Sequence, residues 1–225
     1  GINPRGLVPV LIDDGAVHIE SNDIIAYLER KFPEPVLIPA DRAAEISTLL
    51  RFEDDLHLDL RTLSFRFVHG RTGSPKSATV MQQYRSGGAG TVLGRTDPEK
   101  QRELDFYDRL ARDGISDAAV RDAAAKFRAA FDDFEQGLAG HQYLIGPALT
   151  IVDVAWYVYV KRLTLAGYPF QRLHPRIEAW FNTLDERPEF HKAVETPKPL
   201  MEKIAATCRT QAETGATLAQ VAGYL

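Results

Sequence analysis

Leu7-Val8-Pro9-Val10-Leu11-Ile12 is a short apolar run rich in β-branched residues, and Asp13-Asp14-Gly15 separates it from Ala16-Val17-His18-Ile19. The first run reads as a buried strand, the Asp-Gly pair as a tight hairpin turn, and the second run as the returning strand. After Ile19 the period changes. Ile24, Ile25, Leu28 and Phe32 recur at helical spacing, with Ser21 as the capping residue and Pro33 as the stop. Two strands and one helix cannot close a core alone. The expected complement is a βαβ unit of roughly 30 residues or more, placed before Gly1. The chain opens on the turn-like Asn3-Pro4-Arg5-Gly6 without a signal-peptide pattern.

Glu34-Pro35 and Pro39 form a linker, and the remainder reads as helix. Residues 42–69 carry Ile46, Leu49, Leu50, Phe52 and Leu56. Residues 70–96 are rich in glycine and poor in large apolar side chains, which predicts a long loop. Asp97-Pro98-Glu99 opens a helix that ends near Gly114, and Ser116-Asp117 caps another that runs to about Gly137. Residues 150–166 are apolar nearly all round, as the central helix of a bundle would be. His174-Pro175 and Arg187-Pro188 open two more helices, and an alanine-rich helical tail follows Thr196. The fold class is α+β, with a ββα piece over residues 1–39 and an all-α domain over 40–225.

Composition narrows the function classes. Of 225 residues, 44% are hydrophobic, enough for a sizeable core. Twenty-seven basic residues against 31 acidic ones give a net charge of -4, with no basic excess to hold nucleic acid. The longest apolar stretch, residues 145–163, is broken by Pro147, Asp153, Lys161 and Arg162, so no membrane helix is expected. Cys208 is the single cysteine; it excludes an internal disulfide and fits a reducing cytoplasm.

Four residues near the start carry chemistry. Proline cannot donate to a sheet ladder, so Pro9 belongs at an edge or bend, where a cis bond after Val8 is expected. A bend there leaves the main chain of Val8 to receive an extended peptide as an added strand. Glu20-Ser21 stands at a helix N-terminus, where the Ser21 hydroxyl and the first N–H groups form a carboxylate site. Glu20 offers a negative partner for an ammonium. Together the four would hold an amino-acid head group and the peptide behind it. A strand-edge proline or a helix-capping serine taken singly is ordinary structure; order and spacing raise the functional reading.

Asn3-Pro-Arg-Gly-Leu-Val-Pro-Val-Leu11, the hairpin, Ile19-Glu-Ser-Asn-Asp-Ile-Ile-Ala-Tyr-Leu28 and Phe32-Pro33 resemble the second half of the thioredoxin-like domain of cytosolic glutathione S-transferases. Tyr143-Leu-Ile-Gly146 with Leu149-Thr-Ile-Val-Asp153 is similar to that family's buried capping box, in which Thr150 caps the central helix and Asp153 returns the bond. His174-Pro175, Trp180-Phe181 and Arg187-Pro188 complete the order. The resemblance implies that Val8 pairs with the cysteinyl backbone of glutathione, Pro9 is cis, and Glu20 and Ser21 hold the γ-glutamyl end. It implies glutathione as cosubstrate, a small-molecule electrophile, a homodimer and no membrane or nucleic-acid partner. Leu7 departs from the Gln or Lys often found there. The thiol-activating Ser, Cys or Tyr is expected upstream of Gly1, so no catalytic residue is assigned. The Asn-Pro-Arg-Gly opening, the insertion before Asp97 and the Ala111–Ser116 break resemble bacterial β-etherase-type transferases; Leu7–Leu11 also resembles the omega type.

Other features read blandly. Gly87-Gly88-Ala89-Gly90 lacks the lysine and strand of a phosphate loop. His57, His69 and His141 have no metal-ligand spacing, so no metal is expected. Phe65 and Tyr157 are candidates for an aromatic substrate wall, against the commoner reading of such rings as core. The rival reading of the whole is a transferase-like interaction or ligand-carrier protein without activity. A glutathione-dependent reductase is a third reading, which needs a cysteine other than Cys208.

Overall fold

A computed structural model describes Asn3, residues 8–69, 76–87, 91–92, 95–96 and 98–224. Strands β1 (Val10–Asp13) and β2 (Ala16–Ile19) precede helix α1 (Ser21–Lys31). Next come α2 (Ala43–Asp55) and α3 (His57–Ser64), and α3 runs on into a π-helical turn, Phe65–His69. Then follow α4 (Ala78–Ser86), the short β3 (Thr91–Val92) and β4 (Arg95–Thr96), α5 (Pro98–Asp113), α6 (Asp117–Gly137) and α7 (Ile151–Leu165). The order ends with α8 (Phe170–Leu173), α9 (Pro175–Asp185), α10 (Pro188–His191), α11 (Lys198–Glu213) and α12 (Leu218–Ala222). Two compact units result: Gly1–Val36 with Thr72–Gly114, and Leu37–Arg71 with Ile115–Leu225.

In the first unit the hairpin turn is built on Asp14 and Gly15, both at positive φ (49° and 81°). Two central residues in that region make the turn whose twist matches the flanking strands, which explains the Asp-Gly pair. β1 and β2 pair antiparallel, Val10 opposite Ile19 and Asp13 opposite Ala16. The C-terminal half of α1 is tied to the turn. Tyr27 donates its hydroxyl, and Lys31 its ammonium, to the Asp13 carboxylate. Lys31 also reaches Asp14 at 3.2 Å, and His18 stacks on Tyr27 at 3.9 Å. The Lys31 and Tyr27 donors hold the Asp13 carboxyl below the usual carboxylate range. Ile24 is the buried residue of α1, whereas Ile12, Val17 and Phe32 stay largely exposed. The ββα piece thus orders itself locally without closing a core, as two strands and a helix should.

The stretch read as a long loop carries a helix. Ser77 caps α4, its side chain accepting from the Val80 N–H at 3.3 Å, and Met81 is buried. Flanking glycines hid this nine-residue helix. Its partner is α5: Tyr84 donates to Glu103 at 3.4 Å, Arg85 pairs with Asp108, and Lys100 donates to the Gly87 carbonyl.

In the second unit the core lies among α3, α6, α7 and α9. Phe127, Phe131 and Phe134 form one stripe of α6, and the last two meet Trp156 of α7 edge-on at 5.8 and 4.9 Å. Ser116 caps α6, accepting from the Ala119 N–H at 3.1 Å. Asp153 has no exposed surface. Its Oδ2 accepts from the Thr150 N–H at 2.9 Å and hydroxyl at 3.0 Å; its Oδ1 accepts from the Leu144 N–H at 2.9 Å and the Trp180 indole at 3.0 Å. A buried carboxylate is tolerated when both oxygens are satisfied in this way. The Thr150–Asp153 capping box therefore also fixes α9 and the Tyr143–Gly146 turn.

Candidate functional site

The hairpin register gathers the residues singled out near the N-terminus. Val10 lies opposite Ile19, so Pro9 and Glu20, the next residues outward, leave the same end of the sheet. Val8 and Pro9 stand outside the ladder, joined by a cis peptide bond, and Val8 is 89% exposed. No main-chain hydrogen bond ties Val8 to another described residue. An edge of this kind accepts an extended peptide.

Across from it, Glu20 adopts φ 70°, ψ 122°, a region that side chains with a Cβ avoid. Such strain costs on the order of 1–3 kcal/mol and concentrates at ligand sites. Its consequence is local: the chain turns sharply from β2 into α1 at the residue where a carboxylate is presented. Glu20, not Ser21, occupies the cap position, and no side chain caps the helix. Ser21 is instead the first helical residue. This corrects the capping role expected for Ser21 and leaves its exposed hydroxyl without a bond to any described residue. The first bond of the turn runs from the Ile24 N–H to the Glu20 carbonyl at 2.9 Å. The N–H groups of Ser21, Asn22 and Asp23 precede it, and the positive end of an eleven-residue helix favours an anion there. Leu7 lies outside the described residues.

The two aromatic candidates of the helical unit differ in setting. Tyr157 is 2% exposed; it stacks on Phe181 at 5.1 Å, meets Phe190 edge-on at 5.0 Å, and donates its hydroxyl to Asp185. It is interior packing. Phe65 opens the π-helical turn, is part exposed, and meets His69 edge-on at 5.5 Å. The turn itself had no signature in the sequence; π-turns inside helices recur at functional sites. Among the described residues no cluster of His, Cys, Asp and Glu could hold a metal ion, and no helix is long and apolar enough to cross a membrane.

A hairpin and helix that bring Val8-Pro9 and Glu20-Ser21 to one end of a small sheet, followed by a helical bundle built on a buried capping box, define an α+β chain with a thioredoxin-like N-terminal piece. Comparison with known proteins agrees. The glutathione S-transferase N-terminal domain matches residues 1–36, and the glutathione S-transferase C-terminal domain matches residues 117–183. Protein LigF of a Sphingobium species is 26% identical over 207 residues, 88% of this chain and 77% of LigF. Glutathione S-transferase hmp2 of Hypomyces subiculosus is 24% identical over 194 residues, 85% of this chain and 76% of its own length. The crystal structure of the β-etherase LigF superposes with a TM-score of 0.62 at 23% identity, over 93% of this chain and 80% of that one. Residues 1–36 and 117–183 thus match the two domains of the glutathione S-transferase superfamily, in that family's order.

Proposed function

We propose that the protein is a glutathione transferase in which the thiolate of glutathione attacks an electrophilic carbon of a hydrophobic or aromatic small molecule. The observation that carries this reading is the meeting of Val8-Pro9 with Glu20-Ser21 at one end of the hairpin. Val8 would pair with the cysteinyl main chain. Glu20 would receive the γ-glutamyl ammonium, and Ser21 with the first N–H groups of α1 would receive its carboxylate. Glutathione held by both ends brings its sulfur to a fixed place, which supplies proximity. Lowering the thiol pKa is the remaining task, and no residue of this chain is assigned to it.

Likeness to LigF supports β-aryl ether cleavage as the particular reaction. There the thiolate forms a C–S bond at the ether carbon, the C–O bond breaks, and the electron pair leaves on a phenolate. The family likeness also supports a cytoplasmic homodimer in detoxification-type chemistry, with a glutathione-binding domain over residues 1–39 and a helical domain over 40–225. The test is turnover of the full-length protein with glutathione and two electrophiles, 1-chloro-2,4-dinitrobenzene and an α-aryloxyacetophenone. Glutathione conjugate with the first, and phenol release from the second, are expected. No conjugate with either, and no shift of melting temperature by glutathione, would leave the fold as a non-enzymatic carrier or interaction module.

A further inference from the structure

Helix α1 leaves the Glu20 end of the hairpin and runs back along it, so its last turn meets the hairpin's own turn. Eleven residues at about 1.5 Å each span about 16 Å, enough to pass the four rungs that pair β1 with β2. Residues opposite one another in an antiparallel pair share a face, and so do alternate residues of one strand. Leu11, Asp13, Ala16 and His18 therefore share one face, and Ile12 and Val17 lie on the other. α1 covers the first. His18 stacks on Tyr27 at 3.9 Å, and Tyr27 and Lys31, four residues apart on one side of α1, both donate to the Asp13 carboxylate. Lys31 also reaches Asp14 at 3.2 Å. Apolar packing holds α1 less firmly: Ile24 is its buried residue, and Leu28 and the closing Phe32 are 37% and 60% exposed.

The two ends of α1 carry different duties. At its start stand Glu20 at positive φ, the exposed Ser21 hydroxyl and the N–H groups of the first turn. A rigid helix passes a tilt at one end to the other, and a shift of about 1 Å is enough to spoil a binding geometry. A lone surface ion pair fixes little. Here one carboxylate, with its side chain 25% exposed, takes two donors from one helix, and the Tyr27 ring is stacked against His18. Two donors on one acceptor define a direction that a single pair does not. We propose that Asp13 is a positioning residue: through Tyr27 and Lys31 it sets the tilt of α1 on the hairpin, and with it the aim of Ser21 and the first N–H groups at an incoming carboxylate. The proposal rests on the transferase reading for the identity of the ligand, whose carboxylate is then the γ-glutamyl one. It puts a determinant of affinity at the far end of the hairpin from the edge that would hold the ligand.

The test is calorimetric titration of glutathione into the full-length protein, with amide hydrogen exchange of the ligand-free protein alongside. Asp13→Asn keeps the shape of the side chain and removes its charge. It is expected to weaken glutathione binding about fivefold. It should also speed exchange of the Ile24 N–H, which bonds to the Glu20 carbonyl, with the amides of α6 and α7 unchanged. Tyr27→Phe removes one donor, leaves the carboxylate in place and serves if Asp13→Asn does not fold; it should weaken binding about twofold. Lys31→Ala should act like Asp13→Asn, and Lys31→Arg should keep most of the affinity. Coupling separates positioning from a general loss of stability. If Asp13 acts through Ser21, Asp13→Asn weakens binding less in a Ser21→Ala background than it does alone, whereas independent effects multiply. Unchanged glutathione affinity in both Asp13→Asn and Tyr27→Phe overturns the proposal, as do effects that multiply fully with Ser21→Ala. A wild type that binds no glutathione while Ile24 exchange still responds to Asp13→Asn counts against the transferase reading, not against Asp13 as the residue that aims α1. An Ile24 exchange rate that does not respond overturns the proposal whether or not glutathione binds.

Discussion

Val10 faces Ile19 across the hairpin, and that one rung places Pro9 and Glu20 at the same end of the sheet. Residues eleven positions apart in sequence thereby become two sides of one sheet end. The sharp turn into α1 needs the positive φ of Glu20, and the cost of that conformation falls on any residue with a Cβ.

Glycine at this position should therefore separate stability from binding. Glu20→Gly and Glu20→Ala both remove the carboxylate, but only glycine relieves the backbone. We expect the glycine variant to be more stable than the alanine variant by about 1 kcal/mol, read as a higher urea midpoint. Both should bind glutathione about tenfold more weakly than the wild type, as loss of a bond to a charged group implies. Equal stability of the two variants would count against strain at Glu20.

Asp153 should be the most sensitive position of the helical unit. All four of its partners are donors aimed at a carboxylate, so the amide of Asn would face N–H or O–H groups with its own N–H groups. Asp153→Asn is expected to cost about 3 kcal/mol, and Trp180→Phe, which removes one donor, about 1.5 kcal/mol. Chemical denaturation of both variants measures this; a loss below 1 kcal/mol for Asp153→Asn would contradict it.

Glu53 gives a pH dependence. Burial pushes its carboxyl up to about 7 from an ordinary 4.5, and the Asp54 charge adds to this. The Tyr159 side chain opposes the rise; its hydroxyl also donates to the Glu53 main-chain carbonyl at 2.9 Å. Between those two pH values the folded protein holds a proton that the unfolded chain has released. Stability from this group therefore falls as pH rises from 4.5 to about 7, and is level above. At about 1.4 kcal/mol per pH unit, the span is at most about 3.5 kcal/mol. Glu53→Gln should match the wild type near pH 4.5 and exceed it at pH 8. A difference between variant and wild type that does not change with pH would refute this.

Much of this was legible in the sequence because the signals are local. The Asp-Gly turn, the Ser116 cap and the all-apolar α7 each follow from residue types within one turn of one another. The Thr150–Asp153 box was readable only by resemblance, since its other donors, Leu144 and Trp180, come from outside the helix. Two things were not legible. α4 sits between glycine-rich stretches that masked its short period, and the π-turn at Phe65–His69, which α11 contacts through Gln211, follows no local pattern. Arg162 was visible only as a break in an apolar run. Its setting depends on Ser64, 98 positions away. At the hairpin end, local pattern assigns Ser21 the cap position that Glu20 occupies; only the backbone angle at Glu20 distinguishes the two.

The most direct test of the account is calorimetric titration of glutathione into the full-length protein and its Ser21→Ala variant. The alanine keeps the helix and the Glu20 turn and removes the exposed Ser21 hydroxyl. The wild type is expected to bind glutathione, and the variant to bind it about tenfold more weakly with an unchanged melting temperature. Unchanged affinity in Ser21→Ala would contradict the assignment of this edge as the glutathione site.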